Sequence, residues 1–165
     1  LFFWKTILKM TSIKHNLQNA RITRKNLLKY LNTLSIEELN IIPEGFNNNI
    51  FWNIAHVAVT QQILVYKLSG LKMYLSDDFI NEFKKGAAPE RQYVKEDVDF
   101  LTSIFLNLVD ELENDFDKGV FKKYTEYSTS YGVVLTSAEE AIAFNNIHEG
   151  LHFGYVMALK RSLYK

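Results

Sequence analysis

The side chains best suited to metal or acid-base chemistry are few: the chain has four histidines and no cysteine. Two of the histidines, His148 and His152, stand four residues apart in the segment HEGLH. On a helix that spacing puts both rings on one face, close enough to bind a single ion. They also fall on a core-facing stripe, Ala138, Ala141, Asn145, His148, His152, Tyr155 and Leu159, whose three central members are polar. Buried imidazoles need partners, so the pair is either a set of hydrogen-bonded core histidines around a polar pocket or part of a metal site. A metal site needs a third ligand. His56, with Trp52, Val59, Ile63 and Tyr66 at helical spacing around it, points inward, whereas His15 sits opposite Ile13 and Leu17 and is expected in solvent.

HEGLH matches the H-E-x-x-H pattern of zinc peptidases, in which the glutamate is the general base. No Asp, Glu or His follows His152 to supply the downstream ligand of that arrangement, so the third ligand would have to come from His56 upstream. Glu149 remains the candidate catalytic base, and its bland reading is a solvent-facing carboxylate on the helix surface. Asn145, one turn before His148, is a candidate for orienting a ligand or cofactor, or else a hydrogen-bonded core amide. Trp52, Phe51, Tyr124, Tyr127 and Tyr131 are candidates for the wall of an apolar pocket, although such aromatic residues more often simply pack.

Four long helices are needed to bring these residues together. The first is expected from Ser12 to Leu34, where Ile13, Leu17, Ala20, Leu27, Leu31 and Leu34 recur at three- and four-residue steps. Arg24 interrupts that stripe and is expected to snorkel to the bundle end. Ser35 and Glu38 spell a capping box for a single turn. The second helix is expected from Asn49 to Leu68, apolar on nearly every side in IFWNIAHVAV and stopped by Gly70. The third spans Lys95 to Phe116, with Val98, Leu101, Phe105, Leu108 and Leu112 on its inner stripe. The fourth runs from a Ser137/Glu140 capping box to Leu163. A short helix over Asp77 to Lys84 lies in the long link between the second and third helices, which permits a crossover. The fold class read from this pattern is all-α, a four-helix bundle.

At 165 residues, 47% hydrophobic and 23% charged, the chain suits one globular domain. Nineteen basic residues balance nineteen acidic ones, so no net field favours nucleic acid or an anionic membrane. The lack of cysteine removes disulfides, thiolate ligands and a cysteine nucleophile, and fits a cytoplasmic protein. The run LFFWKTILKM is too short to span a bilayer and lacks a signal-peptide cleavage pattern. Residues 1–9 read as an upstream extension or a docked strap, leaving 10–165 as the domain.

The runs FNNIHEGLHFGYVMALKR, from Phe144 to Arg161, and NNIFWNIAHVAVTQQ, from Asn48, together resemble the DinB-like superfamily, as does the proline-then-tryptophan approach PEGFNNNIFWNIAHV. The resemblance covers Met10 to Lys165. It implies a bundle with a long crossover between parallel second and third helices, and a divalent metal, zinc or nickel, on His56, His148 and His152. Tyr155, after Gly154, stands where the family commonly has glutamine. By the same resemblance the protein is expected to be a homodimer acting on a small molecule, as a metal-dependent transferase that activates a low-molecular-weight thiol. The alternatives are a metal-dependent hydrolase and a non-catalytic metal-binding stress-response protein.

Overall fold

The computed structural model describes the backbone of residues 2–164 and the side chains of residues 12–164. Its helices are α1 (Phe2–Thr33), α2 (Ile36–Asn40), α3 (Ile50–Gln61), α4 (Asp77–Phe83), α5 (Lys95–Phe105), α6 (Asn107–Asp117) and α7 (Ala138–Ser162), with a two-stranded hairpin, β1 (Tyr127–Ser128) and β2 (Val134–Leu135). The backbone of α1 already starts at Phe2, ahead of the expected Ser12. The side chains that would separate an extension from a strap at residues 1–9 lie outside the described ones.

The ends of these elements follow from local chemistry. Ser35 and Glu38 form both halves of the expected capping box on α2. Asn49 caps α3 by accepting from the Trp52 amide. At α7 the expected box is only half made: Ser137 accepts from the Glu140 amide, while the Glu140 carboxylate reaches one residue further back, to the Thr136 amide and hydroxyl. The second helix stays regular to Gln61, then widens into a π turn over Gln62–Tyr66 and a tight turn over Lys67–Ser69, before Gly70 at φ 70° ends it in the left-handed conformation.

Side-chain pairs fix the helix directions. Along α1 and α7, Asn16 meets Asn146, Arg24 meets Glu149 and Tyr30 meets Phe153, so the two run parallel. Gln61 bonds the Leu108 carbonyl and Tyr66 bonds Asp115, so α3 runs parallel to the α5–α6 pair, as a long crossover through α4 requires. Against α7, α3 is antiparallel: Asn53 reaches His152, and Leu64 shares a cavity with Phe144. The architecture is an all-α four-helix bundle in which α7 packs on both α1 and α3.

The apolar core is in two parts. One gathers Leu27, Leu31, Ile54, Val57, Leu101, Val156 and Leu159; the other gathers Ile13, Leu17, Leu64, Val65, Leu112, Ala141 and Ile142. Between them, at the same level of the bundle, lies a belt of buried polar side chains: Arg24, Gln61, Asn145, Glu149 and His56.

That belt corrects two expectations. Arg24 does not snorkel, and Glu149 is not on the surface: each side chain is 0% exposed, and they pair at 2.8 Å. Glu149 Oε1 accepts from Arg24 Nε at 3.1 Å, Arg24 Nη2 at 2.8 Å and Asn145 Nδ2 at 2.7 Å. Burying either charge alone is costly, so each tolerates the interior only because the other is there. The pair also explains why the third helix is not continuous from Lys95 to Phe116. Arg24 Nη1 donates to the Phe105 carbonyl at 2.8 Å, and the Val109 amide, which would bond that carbonyl in an unbroken α-helix, turns to Leu106 instead at 2.9 Å. A side chain has entered the hydrogen-bond ladder, and the helix breaks there into α5 and α6.

Candidate metal centre

His56 projects from the middle of α3 and His148 and His152 from successive turns of α7. The antiparallel packing of those helices closes the gap in sequence. Ring centroids lie 5.1 Å apart for His56 and His148, 4.7 Å for His56 and His152, and 4.5 Å for His148 and His152. One nitrogen from each ring falls within 4.8 Å of the others, and among the described residues this is the one such group of metal-ligating side chains. Nitrogens sharing a tetrahedral zinc sit about 3.3 Å apart, so the three rings lie within reach of one ion. His15 is exposed, as expected, and is not one of the clustered rings.

Two of the three rings are aimed by protein partners. His56 Nδ1 donates to the Phe83 carbonyl at 2.6 Å, which leaves Nε2 as the lone-pair nitrogen, with the Thr60 hydroxyl 3.2 Å away. His152 Nδ1 donates to Asn53 Oδ1 at 2.9 Å, and the Asn53 amide is itself held by the Asn49 carbonyl at 2.8 Å. Such outer hydrogen bonds fix the tautomer and orientation of metal-binding histidines. Trp52 stacks flat on His56 at 4.8 Å and 10°. His148 differs, because its Nδ1 is buried with no hydrogen-bond partner. A buried ring nitrogen without a partner, beside two aimed ones, fits an ion better than a set of core histidines satisfied by the protein.

Burial pushes all three rings below the ordinary histidine value, His152 to about 4 and His148 to about 2, with repulsion from neighbouring rings adding to the effect at both. For His56 the bond to Phe83 opposes the shift. The rings are therefore neutral near pH 7, the form that binds a metal.

The histidines form one wall of a cavity of ≈ 310 Å³. Ile63, Leu64, Phe144 and Leu151 supply apolar surface, and the hairpin and its turn contribute Tyr127, Thr129, Ser130 and Tyr131. The hairpin escaped the sequence reading, although YSTSYGVVL carries the signal of short β-prone runs around a glycine, Gly132 at φ 89°. Lys85 completes the cavity, and among the described residues no aspartate or glutamate lines it.

Of the expected pocket aromatics, Tyr127 and Tyr131 line the cavity and Trp52 backs the His56 ring. Phe51 packs instead on Phe83 and Tyr93, and Tyr124 bonds the Leu64 carbonyl within the second core. Glu149 and Asn145 are not among the lining residues; both belong to the buried belt. Tyr155 is 37% exposed and meets Phe46 edge-on, away from the core stripe on which spacing had put it. The buried line of α7 runs instead through Asn145, Glu149, Val156 and Leu159. Asn53, Thr60, Lys85 and the Phe83 carbonyl escaped the sequence reading, and only Asn53, at a buried position one turn before His56, carried any signal there.

No curated protein matches the sequence. The model of the DinB superfamily matches residues 20–156, a span that holds all three histidines, their outer partners and the Arg24–Glu149 pair. With the bundle order and the histidine cluster in place, the match over most of its length means that the chain belongs to the DinB superfamily.

Proposed function

We propose that the protein is a metal-dependent transferase, holding zinc or nickel on His56, His148 and His152 and using a small thiol as cosubstrate. Three neutral ligands leave positions open for substrate, as in catalytic rather than closed sites. When bound, the ion would supply Lewis acidity that favours the thiolate form of the cosubstrate at neutral pH. The sulfur gives up its proton to solvent and attacks an electrophilic carbon; a C–S bond forms, and the leaving group departs with its electron pair. His56 and His152 keep their lone pairs on the cavity through Phe83 and Asn53, while Ile63, Leu64 and Phe144 exclude water from one side.

The observation that carries the choice of a transferase over a hydrolase is that, among the described residues, no carboxylate lines the cavity. A hydrolase of the H-E-x-x-H kind needs its glutamate beside the ion as general base, whereas Glu149 is committed to Arg24 and Asn145. A thiol brings its own nucleophile.

On this reading the protein acts in the cytoplasm; no helix among the described residues is long and apolar enough to cross a membrane. It also acts as a homodimer, a reading supported by exposed apolar side chains such as Ile22 on α1 and Met157 on α7. Light scattering that gives a monomer mass removes the dimer. The main test is elemental analysis of purified protein, then turnover of electrophiles with and without thiols. Thiol-dependent turnover supports a transferase, turnover with water alone supports a hydrolase, and no turnover in the metal-loaded form favours a non-catalytic metal-binding protein.

A further inference from the structure

We propose that Lys85 is an anion subsite at the mouth of the metal cavity, and that the molecule taken there carries a carboxylate at one end and its metal-seeking atom at the other. This rests on the histidine cluster being a metal site. The charge inventory of the cavity is one-sided: among the described residues Lys85 is the one charged side chain in the lining, and no acidic side chain faces it. Lys85 makes no ion pair or hydrogen bond among the described residues, unlike Lys84, which bonds Asn81. A dication and an unpaired ammonium around one cavity draw an anion and reject a cation.

The placement of Lys85 is tied to the ligands. Its segment leaves the end of α4, and two bonds from α3 hold that end: Trp52 Nε1 donates to the Glu82 carbonyl at 3.2 Å, and His56 Nδ1 to the Phe83 carbonyl at 2.6 Å. The backbone that carries the lysine is thus fixed by a metal ligand and by the ring stacked on it. Between the lysine and the histidines, Ile63, Leu64 and Leu151 offer apolar surface for a short carbon chain.

The test uses the cobalt-loaded protein and three thiols that share one ethylene spacer and differ in the group at its far end: 3-mercaptopropionate, 2-mercaptoethanol and cysteamine. Binding is read by calorimetry and by the change in the cobalt absorption spectrum. Mercaptopropionate is expected to bind about tenfold more tightly than cysteamine at low salt, with the difference shrinking as salt rises. Lys85→Gln should abolish that preference, and Lys85→Glu should reverse it, while the affinity for mercaptoethanol stays put. A parallel comparison of succinate with its mono-amide, read by calorimetry, needs no thiol, and there wild type but not Lys85→Gln should prefer the dicarboxylate.

If thiols bind without regard to charge and succinate gains nothing over its mono-amide, the subsite is overturned and the thiol reading survives. If no thiol binds but succinate shows a Lys85-dependent preference, the subsite stands and the thiol reading falls. A preference that persists in Lys85→Gln overturns the assignment to Lys85.

Discussion

Replacing Arg24 by Met tests the polar belt most directly. The substitution keeps a long, flexible, apolar stem but removes the guanidinium, so the Glu149 carboxylate, 0% exposed, retains only its bond from Asn145. Removing one partner of a buried ion pair costs about 3–5 kcal/mol, because the other charge stays buried without compensation. Part of that returns. The Phe105 carbonyl, released by Arg24, can accept the Val109 amide and mend the break between α5 and α6, which is worth about 1 kcal/mol. The expected net loss is about 2–4 kcal/mol, or a fall of roughly 1–2 M in the urea midpoint for a slope of about 2 kcal/mol/M. The double variant Arg24→Met/Glu149→Leu removes both charges and should lie within about 1–2 kcal/mol of wild type, the residue being the Asn145 amide left without its acceptor. Urea unfolding of the four proteins, followed by far-ultraviolet circular dichroism, closes the cycle. A loss below about 1 kcal/mol for Arg24→Met, or single losses that simply add in the double variant, would refute the argument that each charge is buried only because of the other.

Other outcomes follow from the metal centre. His152→Ala should leave the helical spectrum largely intact while metal content after dialysis drops steeply; unchanged metal content would remove His152 from the ligand set. Asn53→Ala, which takes away the acceptor that aims His152, should weaken metal affinity by about 10–100-fold, measured by chelator competition, and an unchanged affinity would deny it that role. The apoprotein should lose stability as pH falls. The three rings titrate near 6.5 when unfolded but stay neutral when folded, His152 to about 4, so below 6.5 the unfolded chain takes up protons that the folded chain refuses. The stabilisation is complete above 6.5 and drains as pH drops toward about 4; urea midpoints that stay level from neutral pH to about pH 5 would contradict it.

Much of this was legible in the residues. The α1 stripe from Ile13 to Leu31, the caps at Ser35 and Ser137, and the stop at Gly70 are local signals with local causes, and they survive in the structure. The histidines were legible because few side chains of that chemistry compete for the role. The belt was not, because a charged residue is by default assigned to solvent. Arg24 on α1 interrupts an apolar stripe and looks anomalous alone, whereas Glu149 on α7 reads as a surface carboxylate beside the stripe; together they are a pair, but only the parallel packing of α1 and α7 joins them. The break after Phe105 was hidden for the same reason, since its cause lies on another helix. Nor could periodicity find the Phe83 carbonyl, a backbone atom available to His56 because α4 ends there.

The hairpin turn has a consequence for how this protein can diverge. The three histidines and their hydrogen-bond partners stand on helices whose packing constrains their neighbours, whereas Ser130 and Tyr131 face the same cavity from a turn where both are exposed. Substitution at exposed turn positions usually moves stability by less than about 0.5 kcal/mol, so this wall can be rewritten with little effect on the bundle. On the proposed function, the molecule accepted and the metal held are therefore under separate mutational control: descendants would acquire new substrates through the turn while inheriting the same ion on the same three rings.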